Sequence, residues 1–100
     1  MKLSAAANVL RSKNAGPLAL TIDILFPSRD LFDRAAGSAN LTRTAVAGLY
    51  GMSDNEVTVM HVPKALAIKV TMPRRIVAGS PGDLDVYGAQ QHLPLMDVKL

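Results

Sequence analysis

The sequence predicts an α+β fold, ferredoxin-like or split βαβ, with an antiparallel sheet and helices packed on one of its faces. Three observations carry this expectation. Leu18 to Phe26 alternates with a period of two, two segments with helical spacing and cap residues follow, and a closely linked pair of alternating segments comes next. The chain has 100 residues, which is enough for one domain over 1–100 and too few for two.

The elements follow in order. Residues 3–10 suit a short helix, because Leu3, Ala6, Ala7 and Leu10 share a face and Ser4 can cap it. Arg11 to Pro17 then reads as a polar break, with Gly16-Pro17 as the stop. Leu18, Leu20, Ile22, Ile24 and Phe26 form one face of a strand, Thr21 and Asp23 face the other way, and Pro27 ends it. Ser28 to Ala36 is helix-like, capped by Ser28, with Leu31, Phe32 and Ala35 on one side and Gly37 closing it. A second helix runs from about Thr42 to Tyr50. Thr42 caps it, Ala45, Val46, Leu49 and Tyr50 supply its buried stripe, and Gly51 stops it.

Val57 to Pro63 and Ala65 to Pro73 read as two strands. The short link through Pro63-Lys64 predicts an antiparallel hairpin. Val57, Val59 and His61 share one face of the first strand, and Thr58, Met60 and Val62 the other. In the second, Leu66, Ile68, Val70 and Met72 alternate with Ala67, Lys69 and Thr71. Ile76 and Val77 extend into a short element, Asp83 to Gly88 starts a last helix or a loop, and Leu95, Val98 and Leu100 suit a final edge strand.

Composition narrows the function classes. The hydrophobic fraction of 49% argues against disorder. The net charge of +3 favours small anionic molecules over nucleic acid, since aromatics make up only 4% of the chain and RNA modules stack bases on aromatic rings. Without cysteine there is no disulfide, thiolate catalysis or iron–sulfur cluster. Lys2 is not followed by a continuous apolar core and no apolar run reaches membrane length, so a soluble cytoplasmic protein is expected, without a membrane partner. A chain this short buries a modest share of its surface, and a partner subunit or a homo-oligomer would relieve that limit.

Polar groups concentrate on two glycine-flanked segments, near the start and near the end. Arg11, Lys13 and Asn14 can hold a carboxylate or phosphate, or form a solvated turn in which Asn14 bonds its own backbone. Asp23 can orient Lys13, line a subunit seam, face solvent or belong to a face covered by helices. Lys69 sits in a strand opposite the apolar register, as a solvent-face charge or as the partner of a carboxylate. Arg74 and Arg75 can bind an anion, including the phosphates of a coenzyme, or form a solvated pair.

Gly79-Ser80-Pro81-Gly82 offers backbone amides to an anion, but no Gly-Lys-Ser/Thr follows, so it is not an ATPase phosphate loop. Asp83 and Asp85 are a carboxylate pair, which could hold a divalent ion, or an ordinary turn and cap. Tyr87, Gln90, Gln91 and His92 are the sharpest candidates. Two adjacent amides can bind a planar carboxylate or amide, and His92 can act as a general acid or base. The same amides can instead satisfy loop backbone. His61 stands alone in a strand and reads as structural, and the two histidines with Asp83 or Asp85 do not match zinc-site spacing, so no metal ligand is assigned.

Several segments together resemble a small uncharacterised family found beside, or fused behind, the AtuA protein of acyclic terpene utilisation. They are Arg11-Ser12-Lys13-Asn14-Ala15-Gly16-Pro17, Leu41-Thr42-Arg43, Ala67-Ile68-Lys69, Met72-Pro73-Arg74 and the run from Gly82 to Leu95. The layout is also similar to the ferredoxin-fold domain at the end of AtuA-like proteins. The resemblance implies association with an AtuA-like large subunit and a role in organic-acid or acyl-CoA catabolism, with coenzyme A as part of a substrate.

On that footing the leading expectation is an accessory small subunit of an enzyme performing hydration, elimination or isomerisation beside a carbonyl. His92 would be the base, Arg11 and Lys13 the anion clamp with Asn14 orienting, and Gln90 and Gln91 the support for an enolate-like oxygen. Tyr87 and Arg74 would assist in binding. The alternative is a non-catalytic binding or assembly domain that uses an exposed sheet face.

Overall fold

A computed structural model describes residues 1–16, 18–73 and 93–100. In chain order the elements are α1 (Leu3–Ala6), β1 (Val9–Asn14), β2 (Ala19–Leu25), α2 (Arg29–Ala36), α3 (Arg43–Tyr50), β3 (Thr58–Val62) and β4 (Ala67–Pro73). Short 3₁₀ turns lie at Ala39–Leu41, Asp54–Glu56, Pro63–Ala65 and Leu93–Leu95. The strands form one antiparallel sheet in the order β1-β2-β4-β3.

The expected α+β architecture is present. Both β2 and β3 run antiparallel to β4, so they are parallel to each other with β4 inserted between them. The crossover that joins them carries α2 and α3, which makes a split βαβ unit. The sheet position beyond β2 is filled by β1, a strand that precedes this unit in the chain. In a ferredoxin-like order that place belongs to the last strand.

Sequence explains the central strand directly. Leu20, Ile22 and Ile24 of β2 lie opposite Met72, Val70 and Ile68 of β4, and all of them are buried. Phe26 continues that face, and the Phe32 ring of α2 meets it edge-on at 6.2 Å. The His61 ring of β3 meets Phe32 edge-on at 6.3 Å on the same side. The helices therefore pack on the Leu20–Ile22–Ile24 face, and the buried cluster adds Leu3, Ala35, Leu41, Val46, Ala47, Val57 and Leu95.

Local caps set both helices. The Ser28 Oγ accepts a hydrogen bond from the Leu31 N–H at 3.3 Å, and the Thr42 Oγ1 accepts one from the Ala45 N–H at 3.2 Å. Gly51 closes α3 at φ +67°, in the left-handed region that glycine enters without penalty. The buried stripe of α3 is narrower than its spacing predicts. Val46 and Ala47 are buried, Ala45 and Tyr50 are half-buried, and Leu49 is exposed. Burial pushes the Tyr50 phenol above its ordinary pKa of 10.

Two sequence expectations are corrected. The first helix ends at Ala6, and residues 9–14 are a strand where a helix end and a polar break were expected. A helix of one turn is marginal by itself. Ala7 turns extended, and the Asn8 N–H donates to the Leu25 carbonyl at 2.9 Å, which commits the chain to pairing with β2. The hairpin closes through Gly16 at φ +91°, with the Ala15 N–H on the Ala19 carbonyl at 2.9 Å. The second correction is at the end, where Leu95 to Leu100 form no extended strand among the described residues. Instead a 3₁₀ turn precedes a single bridge between Lys2 and Lys99. The Leu3 N–H donates to the Val98 carbonyl at 2.7 Å, and the Leu100 N–H to the Met1 carbonyl at 2.9 Å, so the two ends of the chain are joined.

The predicted hairpin is present, with Pro63–Ala65 as its turn. Leu66 leaves that turn at φ +50°. This left-handed conformation costs a branched residue roughly 1–2 kcal/mol. Hydrogen bonds hold it: its N–H donates to the Pro63 carbonyl at 3.1 Å and its carbonyl accepts from the Phe26 N–H at 2.9 Å.

Candidate functional site

The sheet has a second face, turned away from α2 and α3. Strand alternation sends every other side chain to it. The pairing register then sorts these side chains into three rows that run across all four strands. The first row is Val9, Leu25, Ala67 and Val62, the second Arg11, Asp23, Lys69 and Met60, and the third Lys13, Thr21, Thr71 and Thr58. Among these side chains only Thr21 is buried, whereas their helix-side counterparts in β2 and β4 are buried throughout. Directly opposed residues stand about 4.5–5.5 Å apart at Cβ, so each row is a set of cross-strand neighbours.

The middle row alternates cation, anion, cation. Asp23 lies between Arg11 and Lys69, which is the arrangement that opposite-charge cross-strand pairs favour. Neither pair closes into an ion pair within 4 Å; among the described residues those are Lys2–Asp97 and Arg29–Asp33. Arg11, Lys13 and Lys69 are exposed, so their charged heads are available to a binding partner. With Lys13 in the next row, the face holds three cations against one carboxylate among the described residues. An apolar row borders it on one side and a row rich in hydroxyls on the other.

The structure joins some of the residues expected to form a site and separates others. Arg11 and Lys13 share the open face, two residues apart on β1. Asn14 falls on the helix side, opposite Leu20, so it does not complete a clamp with them. Asp23 stands opposite Arg11, while Lys13 stands opposite Thr21, so the carboxylate is register partner to the arginine and not to the lysine. Lys69 meets that same carboxylate from the other side. Arg74, Tyr87, Gln90, Gln91 and His92 lie outside the described residues, as do the Gly79–Gly82 turn and the Asp83–Asp85 pair.

Sequence reasoning did not find the threonine row of Thr21, Thr71 and Thr58. It also did not find that Arg11, Asp23 and Lys69 form one line. The available signal was the period of two in Val9, Arg11 and Lys13, which the polar residues Ser12 and Asn14 between and after them obscured. Among the described residues no group of His, Asp or Glu gathers in threes to hold a metal ion, and no helix is long and apolar enough to cross a membrane.

What the fold and this face define is a small α+β domain with a mixed cationic and apolar sheet surface. The chain matches the model of the domain of unknown function family DUF4387 over residues 3–99, and it belongs to that family. The description of that family names no AtuA-like partner. No curated protein and no solved structure matches the chain.

Proposed function

We propose that this chain is an accessory small subunit and that its open sheet face docks on an acidic, partly apolar surface of a larger enzyme chain of the AtuA-like kind. The observation that carries the reading is the alignment of Arg11, Asp23 and Lys69 beside the Val9–Leu25–Ala67–Val62 row. An interface core needs apolar area, and its rim needs charges of the opposite sign to its partner. The face supplies both, on strands held rigidly by the core behind them. In this reading the complex acts on an organic acid or a coenzyme A thioester, and this chain contributes assembly.

A second reading is favoured by one specific observation. Arg11 and Lys13 point the same way beside three threonines, which is a donor set suited to a carboxylate or phosphate. In that reading the face holds the small anionic substrate itself, and His92, Gln90 and Gln91 supply the proton transfer and oxygen support.

Purification of the native complex, read by mass, separates the readings. Recovery with an AtuA-like large chain is the expected result. Recovery of this chain without any larger partner, together with saturable binding of short carboxylates or acyl-CoA compounds, overturns the accessory reading in favour of the second.

A further inference from the structure

We infer that the β3 edge of the sheet is a self-association site, where a second copy of this chain pairs its own β3 antiparallel to form one continuous sheet. The inference concerns the edge of the sheet and stands independently of the docking proposed for its open face. Among the described residues β1 and β3 each pair on one side only. Natural sheets guard such edges with charged side chains, prolines or bulges. The β1 edge is guarded by Arg11 and Lys13. Strand β3 reads Thr58-Val59-Met60-His61-Val62, with no Lys, Arg, Asp, Glu or proline inside it, and its register with β4 runs without a bulge. It is also the one strand of the sheet with no Lys, Arg, Asp or Glu on the open face.

The sequence of β3 is self-complementary about its centre. Antiparallel pairing centred on Met60 sets Met60 against Met60 of the second copy, Val59 against His61, and Thr58 against Val62. The Met60–Met60 pair is apolar, the Thr58–Val62 pairs are β-branched on both sides, the Val59–His61 pairs set a β-branched residue against an imidazole, and no Lys, Arg, Asp or Glu opposes another. The same operation on β1, centred on Ser12, would set Arg11 against Lys13 twice, a destabilising opposition of cations. Charge therefore selects β3 and rejects β1 for a second copy. Met60 is 53% exposed, so the residue at the proposed centre is largely uncovered in the single chain.

The geometry has a functional consequence. Two antiparallel edge strands in one continuous sheet are related by a two-fold axis perpendicular to that sheet. Such an axis keeps each face on its own side. The helices of both copies then lie together, and the two cationic open faces become one extended surface across a sheet with four strands from each copy.

The test is sedimentation of the purified chain at tens of micromolar, with Met60→Lys and Met60→Glu as variants. The expected wild-type mass is twice 10.6 kDa. Each variant sets like charges across the two-fold axis and weakens self-association at least about tenfold, while an equal mixture of the two regains the dimer. A monomeric wild type, or a dimer indifferent to both substitutions, overturns the inference. Hydrogen exchange of the wild type gives a check that needs no variant. Amides in 58–62 should gain protection as concentration rises, and unchanged protection overturns the inference.

Discussion

If the open face docks on a larger chain as proposed, inverting its middle row with Arg11→Glu, Asp23→Lys and Lys69→Glu together is expected to weaken capture of that partner at least about a hundredfold and to leave the domain folded. The design keeps the alternation of opposite charges across β1, β2 and β4, so the cross-strand pairing inside the sheet is preserved. What changes is the sign presented outward, from a net positive row to a net negative one. Juxtaposing like charges across an interface costs several kcal/mol, and about 3 kcal/mol corresponds to a hundredfold loss. Affinity capture read by mass, with circular dichroism of each chain, checks this. Equal capture by the inverted chain would place the interface elsewhere on the molecule.

Ile22→Ala is expected to remove about 3 kcal/mol of folding stability. Ile22 is fully buried in β2, with Ser12 of β1 and Val70 of β4 opposite it. Deleting such a side chain loses its transfer free energy and leaves a cavity that the flanking strands cannot close, at roughly 2–5 kcal/mol. For a domain of this size the midpoint of thermal unfolding should fall by roughly 12–24 °C. Leu49→Ala is the contrast, because Leu49 is 46% exposed on α3 and its truncation should change stability by less than about 0.5 kcal/mol. Parallel thermal melts of the two variants decide the matter, and similar losses in both would contradict the placement of the core.

The legibility of the fold followed the range of the interactions that set each element. Ser28, Thr42 and Gly51 act within one turn of chain, and the helix ends they mark are where the sequence puts them. β2, β3 and β4 carry alternation strong enough to be read alone. β1 does not, because its helix-side positions are Leu10, Ser12 and Asn14, and the two polar ones erase the contrast between faces. Its strand state is imposed by β2 along the full hairpin. Leu49 shows the same limit from the other side, since helical spacing assigns it to the buried stripe and tertiary packing leaves it out.

The candidate site was legible in residue type and not in geometry. Arg11 and Lys13 are distinctive as cations between apolar segments. That they share a face follows only once residues 9–14 are known to be a strand. The same fact sends Asn14 to the other face. Asp23 and Lys69 are far apart in sequence, and only the β2–β4 register sets them opposite each other. Charge rows of this kind are products of pairing, so single-strand patterns do not reveal them.

Lysine acetylation footprinting of the purified complex, compared with the isolated chain, tests the central claim most directly. Lys2, Lys13, Lys64, Lys69 and Lys99 are all exposed in the single chain. If the open face is the docking surface, Lys13 and Lys69 lose reactivity in the complex while Lys64 and Lys99 keep theirs. Unchanged labelling at Lys13 and Lys69, with protection at Lys64 or Lys99, would contradict it.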